Sequence, residues 1–381
     1  MLSPRLEENK WDLPHSYGSM YGVEEAQAML EVLNEWAPTN NKRVREYESR
    51  FSTFVGASYG VATNSWGGAA HLVAIMMDIK EGDEIIVPAM AMSATANIFV
   101  REGAKIVFAE SNPRTFNIDV EKLEEKITSK TKAIIIVHMC GQPCDMDPIV
   151  DIARRHGLLL VQDAAHAPGA MYKGKGLGEF GDYVIYSFHQ AKNICTLGEG
   201  GMVVTNNKEW AEKLKKLRGH GAGLYIGVSN RMTEIQAAVG LVQLDRIKTH
   251  TETRRRLSYY INEFIRDIDG LSTPYEISDV YHVYHLYNLL VDEKRLGMTK
   301  NELMRYLWKK RRIMAISYYP TVNCLPPYKE LGHGEGECPI TEEMAARAIA
   351  LPMSPRYTEA DIEEMVTGIR DVVNMRKKGL I

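Results

Sequence analysis

Runs of apolar residues alternate, through the first half of the chain, with segments whose apolar positions recur every three or four residues. The continuous runs, typical of strands that are buried on both faces, are 84–87, 105–109, 132–137, 158–162, 183–187 and 202–205. Helical spacing occurs between several of them, at 93–101, 119–128 and 148–156. This alternation predicts an α/β fold with three layers, in which helices cover both faces of a mostly parallel sheet.

The rest of the chain predicts further helices and a second, smaller unit. Helical patterns occupy 22–35, 44–54, 69–77, 208–218 and 299–311, and two more helices open at Thr233 with Gln236 and at Thr358 with Asp361. Residues 1–20 read as an irregular arm. We therefore divide the chain into an N-terminal arm (1–20), a large domain (21–250) and a small α+β domain (251–381).

Composition narrows the classes of partner and the compartment. A formal net charge of −3 argues against nucleic acid or an anionic membrane as the partner, and no apolar run reaches the roughly 18 residues that span a bilayer. Met1 to Trp11 lacks the apolar core of a secretory signal, which favours a cytoplasmic protein. The chain has five cysteines, an odd number without the spacing of a disulfide scaffold, which favours reduced thiols. Cys140 and Cys144 lie close to His138, but no second cluster of ligands follows in the sequence, so we predict no metal site.

The stretch 163–201 carries the strongest chemical signal. Asp163 stands at the end of one predicted strand, and Lys192 follows the end of the next. In a parallel sheet both positions lie at the carboxyl edge, where ligands bind. Singly, such an aspartate is usually a cap and such a lysine a surface charge. Together they suit pyridoxal 5′-phosphate (PLP), because a lysine amine joins the cofactor aldehyde as an imine while a carboxylate keeps the pyridine nitrogen protonated.

Several sequence blocks resemble the DegT/StrS family of sugar aminotransferases, which are fold-type I PLP enzymes. The blocks are QDAAHAPGA (162–170), YSFHQAKN (186–193), GEGGMVVT (198–205) and RMTEIQAAVGLVQLD (231–245). The resemblance implies transfer of an amino group from glutamate or glutamine to a keto group of a sugar nucleotide or cyclitol, with Lys192 as the catalytic residue. It also implies a homodimer whose subunits share their active sites.

The resemblance also assigns residues to the cofactor. Asp163 is expected to hold the ring nitrogen and His166 the ring hydroxyl. Ser187 and the backbone near Trp66, Gly67 and Gly68 are expected to bind the phosphate, because a helix N-terminus offers free amides.

Three positions depart from the family. Gly67 stands where a threonine hydroxyl is usual. Met92 replaces an aromatic residue over the ring, and either packs on the ring or lies in the core while another side chain covers the ring. In the family an asparagine before the next helix reaches the partner subunit's phosphate; here the candidates are Ser229 and Asn230, and the usual register puts Ser229 in that role.

Three other functions remain open at this point. A sugar dehydrase of this family replaces the lysine with histidine, whereas this chain keeps Lys192. An oxidase or cyclising enzyme on the same scaffold is suggested by the departures at Gly67, Met92 and Ser229. A non-catalytic regulator is the third, and the lack of PLP binding would favour it.

Overall fold

The large sheet of the protein holds seven strands in the order β1-β9-β8-β5-β4-β2-β3. The computed structural model describes residues 20–35, 39, 41–317 and 319–381, so the predicted arm lies outside the described residues except for Met20. The strands are β1 (Tyr59–Thr63), β2 (Glu84–Pro88), β3 (Lys105–Ala109), β4 (Thr131–Val137), β5 (Leu159–Asp163), β8 (Tyr183–Ser187) and β9 (Gly201–Thr205). Strands β8, β5, β4, β2 and β3 pair in parallel, and β9 pairs antiparallel with both of its neighbours.

Helices cover this sheet on both sides, which confirms the predicted three-layer α/β fold. They are α1 (Val23–Asn34), α2 (Lys42–Phe54), α3 (Trp66–Met77), α4 (Ala94–Arg101), α5 (Met146–His156), α6 (Lys208–Arg218) and α7 (Glu234–Ile265). Alternate strand residues point to opposite faces. Ile85 and Val87 pack with helices α3 and α4, whereas Ile86 packs with α5.

The sequence analysis missed strand β1, and one of its predicted helices was wrong. Strand β1 carries no long apolar run, and its residue Gly60 lies against the backbone of α2, where a Cβ would stand 2.6 Å from the Glu48 carbonyl oxygen. The helix expected at 119–128 is two short 3₁₀ turns, Val120–Lys122 and Glu124–Lys126. Leu123 is fully buried, and Val120 and Ile127 pack against the same core, so these apolar side chains reach the interior without a continuous α-helix.

A second sheet lies in the C-terminal part, in the order β10-β12-β14-β13. Its strands are β10 (Leu271–Ser272), β12 (Tyr287–Val291), β13 (Ile316–Ser317) and β14 (Ala348–Leu351), and all pair antiparallel. Three two-residue strands, β6 (Met171–Tyr172), β7 (Lys175–Gly176) and β11 (Val280–Tyr281), form a third sheet. The α-helices of this part are α8 (Glu293–Leu296), α9 (Lys300–Arg311), α10 (Pro326–Glu330), α11 (Pro339–Arg347) and α12 (Glu359–Lys377).

The long helix α7 connects the two parts of the chain. Its residues Ala237, Leu244 and Ile247 pack with the large sheet, whereas Leu257 and Ile261 pack in the C-terminal core. The division at residue 250 therefore falls inside a continuous helix, and it stays a prediction. None of the described helices combines the length and apolar character that crossing a membrane requires.

Candidate active site

A cavity of about 600 Å³ opens at the carboxyl edge of the large sheet. Seven of the predicted site residues line it: Trp66, Gly67, Met92, Asp163, His166, Ser187 and Lys192. Asp163 ends β5 and Ser187 ends β8, while Trp66 and Met92 follow β1 and β2. These strands run in the same direction, so residues separated by more than a hundred positions in sequence meet at one edge.

Asp163 is the most completely hydrogen-bonded group of the cavity. Its Oδ1 accepts hydrogen bonds from Trp66 Nε1 (3.1 Å) and the Ala165 amide (3.0 Å), and its Oδ2 accepts one from Thr95 Oγ1 (2.8 Å). Burial raises the pKa of Asp163, while these donors and the Lys192 charge lower it. Because each carboxylate oxygen has two lone pairs, Oδ2 keeps room for one more donor.

Lys192 brings an amine into the same cavity from the loop after β8. The residue is only 7% exposed, and its backbone amide donates to the His189 carbonyl (2.8 Å) in a tight turn. Burial lowers the pKa of Lys192 to about 8, and the charge of Asp163 partly offsets that shift. Such an amine is neutral often enough near physiological pH to act as a nucleophile and a base.

His166 presents an unsatisfied nitrogen. Its Nδ1 is buried without a hydrogen-bond partner, whereas its Nε2 lies 3.3 Å from the hydroxyl of Tyr319. The ring stacks on His285, with centroids 4.4 Å apart. Burial, with a smaller contribution from the Lys192 charge, holds the pKa of His166 well below its usual value, so the imidazole is neutral.

The turn before α3 offers backbone donors, but fewer than the sequence predicted. The helix begins at Trp66 rather than Ala69, with Ser65 as its N-cap. The Gly68 amide donates to Ser65 Oγ (3.0 Å), so Gly68 is occupied in capping the helix and does not line the cavity. Gly67 does line it, and a Cβ there would meet only Ser65 Oγ, at 3.8 Å.

Met92 faces the cavity rather than the core. Its side chain is 54% exposed, which decides against the interpretation that it is a core residue. Trp66 supplies the large aromatic ring of this wall and is 9% exposed.

Neither Ser229 nor Asn230 lines the cavity. Asn230 Nδ2 donates to the Gly68 carbonyl (3.3 Å), which ties it to the start of α3. Ser229 is exposed and pairs with Gly219 in an isolated bridge.

Several residues of the site were missed by the sequence analysis. Thr95 has no motif of its own, although its place one turn after Met92 indicates the same edge of the sheet. Tyr319 and His285 both lie in the stretch assigned to the small domain, for which the sequence analysis named no site residue. His285 Nδ1 lies 3.1 Å from the Oδ1 atom of Asn193, the residue that follows Lys192 in the sequence.

His138 and Cys144 are buried and form hydrogen bonds within the protein interior. His138 Nδ1 accepts from the Cys144 amide (3.0 Å), and its Nε2 pairs with Gln162 Oε1 (2.8 Å). Within the described part of the chain, no group of three or more His, Cys, Asp or Glu side chains is arranged to hold a metal ion.

Comparison with known proteins identifies the family. Residues 20–370 match the model of the DegT/DnrJ/EryC1/StrS aminotransferase family. The chain is 36% identical to the GDP-perosamine synthase of Caulobacter vibrioides, with 98% of each chain covered. It is 34% identical to the dTDP-3-amino-3,6-dideoxy-alpha-D-galactopyranose transaminase of Aneurinibacillus thermoaerophilus, over 92% of this chain and 95% of that one.

A solved structure agrees with this assignment. The fold is similar to that of S. venezuelae DesV in complex with a ketimine intermediate, with a TM-score of 0.87, 29% identity and coverage of 92% of this chain and 94% of that one. The chain belongs to the DegT/DnrJ/EryC1/StrS aminotransferase family. This confirms the resemblance and the prediction of an aminotransferase.

Proposed function

We propose that this member of the family transfers an amino group from glutamate or glutamine to a keto group of a sugar nucleotide or cyclitol, with PLP as its cofactor. One observation carries the proposal: Asp163 and Lys192 are buried in one cavity, which His166 also lines with an unsatisfied nitrogen. The relatives named for GDP- and dTDP-linked sugars favour a sugar nucleotide as acceptor.

The residues present fit PLP. Asp163 Oδ2 has a free lone pair for the pyridine N–H, and His166 Nδ1 has no protein partner to compete for the ring hydroxyl. Ser187 Oγ and the Gly67 amide would bind the phosphate, Trp66 and Met92 would flank the ring, and Ser229 and Asn230 would serve the partner subunit's site. When bound, PLP supplies an electron-withdrawing ring that stabilises negative charge on the carbon next to the substrate nitrogen.

Amino transfer also requires side chains of this protein that hold or move protons. Asp163, kept ionised by its hydrogen-bond donors, accepts the ring N–H and holds that proton in place. The free amine of Lys192 would accept the proton from the donor's α-carbon and would then return it to the reacting molecule on the same side of the cavity. The same amine works in the reverse direction on the keto acceptor. Burial excludes water, which protects the reactive carbon from side reactions.

A half-reaction screen tests this function. The PLP-loaded protein is mixed with glutamate or glutamine, and the amine-loaded form is then mixed with nucleotide-linked keto sugars and keto-cyclitols while the visible spectrum is followed. We expect the visible band to disappear with the donor and to return with the acceptor. A protein that binds no PLP, or a spectrum that no keto sugar or keto-cyclitol restores, contradicts the proposal.

We also propose that the protein forms a homodimer whose subunits share their active sites, and that it is located in the cytoplasm. Exposed apolar side chains on α1 and in the loop before α7 (Leu30, Leu33, Leu224 and Ile226) support a covered surface, and the five free cysteines suit a reducing compartment. Sedimentation at low protein concentration tests the dimer, and a PLP-loaded monomer with full activity would exclude it. Cell fractionation tests the location.

A further inference from the structure

The buried ring of His166 has one satisfied nitrogen and one unsatisfied nitrogen. Nδ1 has no hydrogen-bond partner among the residues that the structure describes, although an unpaired buried polar atom typically costs about 1–3 kcal/mol. His166 lines the active-site cavity, so the cost is removed if a bound molecule supplies the partner. Whether that molecule meets an N–H donor or a lone pair depends on which ring nitrogen carries the proton.

Tyr319 determines which nitrogen of the His166 ring carries the proton, because its hydroxyl contacts Nε2. Its hydroxyl lies 3.3 Å from His166 Nε2, and the two rings are nearly parallel, with an interplanar angle of 15°. Burial raises the pKa of Tyr319 and lowers that of His166, so both groups are neutral at ordinary pH. In a neutral pair the phenol is the better donor and the imidazole nitrogen the better acceptor. The single imidazole proton therefore resides on Nδ1.

We propose that Tyr319 is a positioning residue that fixes His166 as an Nδ1–H donor, directed at the ring oxygen of the cofactor. This inference rests on the proposed function, since it takes PLP to be the molecule in the cavity. With the proton on Nδ1, His166 donates to the ring oxygen and stabilises its negative charge. With the proton on Nε2, the lone pair of Nδ1 would face the ring oxygen and repel its negative charge.

Backbone hydrogen bonds close to Tyr319 hold this segment of the chain against the large domain. Tyr319 follows β13 and stands two residues before Thr321, which forms a bridge with Met90. The next amide, that of Val322, donates to the Ala89 carbonyl (2.8 Å). On the His166 side, His285 stacks at 4.4 Å and is itself paired with Asn193 Oδ1. The ring of His166 thus packs against one fixed neighbour, His285, and its Nε2 meets another, Tyr319.

The first test uses the protein without cofactor. Long-range ¹H–¹⁵N spectra of ¹⁵N-histidine-labelled protein report which ring nitrogen is protonated, and His166→Asn identifies the signal. We expect the Nδ1–H tautomer in the natural protein and a mixture of tautomers in Tyr319→Phe. An Nε2–H tautomer in the natural protein, or an unchanged tautomer in Tyr319→Phe, would overturn the inference.

The second test uses the loaded protein. Losing a donor to the ring oxygen makes that oxygen more basic, so the pH midpoint of the visible band should rise by roughly 0.4 to 1 unit in Tyr319→Phe. The PLP dissociation constant should increase about two- to tenfold. An unchanged midpoint, in protein that still binds PLP and transfers amino groups, overturns the role of Tyr319 and leaves the proposed function intact.

Tyr172→Phe is the matched control. Tyr172 is also a buried residue whose hydroxyl donates to a side chain, Asp145 Oδ1 (2.6 Å), but it does not line the cavity. We expect this variant to change neither the His166 tautomer nor the midpoint. A natural protein that binds no PLP would defeat the proposed function, and the cofactor-free spectra would still decide whether Tyr319 sets the tautomer.

Discussion

Trp66 Nε1 donates a 3.1 Å hydrogen bond to Asp163 Oδ1, although 97 positions separate the two residues. Both side chains are buried in the wall of the cavity. The contact opposes the desolvation that raises the pKa of Asp163. Trp66 thus supports the charge of the carboxylate that we assign to the cofactor nitrogen.

Trp66→Phe should slow amino transfer about tenfold, because a hydrogen bond to a charged group contributes roughly 1.5–3 kcal/mol and a tenfold change in rate is about 1.4 kcal/mol. The phenyl ring keeps most of the packing and removes only the N–H donor. Single-turnover kinetics with PLP-loaded protein measure the effect. Trp210→Phe, at a tryptophan stacked on Tyr183 outside the cavity, serves as control. Equal rates for the two variants would contradict the role of Trp66.

Lys192→Ala should abolish the visible band of the bound cofactor and reduce amino transfer below detection. Only an amine can form the covalent link, and no other lysine lines the cavity among the described residues. Absorbance spectra after reconstitution and gel filtration give the first result, and the half-reaction with glutamate gives the second. Lys300→Ala, which removes a half-buried lysine outside the cavity, should retain both properties. Turnover by Lys192→Ala would refute the assignment.

The rate of cofactor capture by the cofactor-free protein should rise about tenfold from pH 7 to pH 9 and then level off. Burial lowers the pKa of Lys192 to about 8, and only the neutral amine attacks the aldehyde. Stopped-flow absorbance measures this profile. Asp163→Asn should move the midpoint to lower pH, because the Asp163 charge raises the Lys192 pKa. A profile that continues to climb to pH 10 would show an unshifted lysine.

Ser187→Ala should weaken PLP binding roughly tenfold, since hydrogen bonds to charged groups typically contribute about 1.5–3 kcal/mol. Ser187 is buried at the end of β8 and lines the cavity. Fluorescence titration of the cofactor-free protein gives the dissociation constant. Ser58→Ala removes an exposed hydroxyl outside the cavity and should bind PLP normally. Identical constants for the two variants would remove Ser187 from the phosphate site.

Met92→Phe should tighten PLP binding about two- to tenfold, because aromatic pairs contribute roughly 0.5–1.5 kcal/mol beyond area burial. Met92 is 54% exposed in the cavity, so a larger ring fits without disturbing the core. Competition between the variant and the natural protein for limiting PLP measures the gain. Leu331→Phe, at an exposed site outside the cavity, is the control. Unchanged or weaker binding would indicate that Trp66 alone covers the ring.

The fold was predictable where the pattern was strong. Long apolar runs such as 132–137 gave correct strands, because a strand buried on both faces has no polar positions to break the run. Strand β1 was missed because Gly60, which lies in close contact with α2, and the polar ends of the strand leave no continuous apolar run. The false helix at 119–128 shows that the apolar spacing of Val120, Leu123 and Ile127 does not by itself distinguish an α-helix from two successive 3₁₀ turns.

The amino-acid sequence by itself determined the family, the α/β class and the pairing of Asp163 with Lys192, because covalent chemistry and strand ends leave signals within short blocks. Only the tertiary structure decided that Trp66 and Thr95 donate to Asp163 and that Tyr319 meets His166. These contacts join segments that are far apart in the chain. Their distances depend on how the whole sheet and its helices pack, which no local pattern of residues encodes.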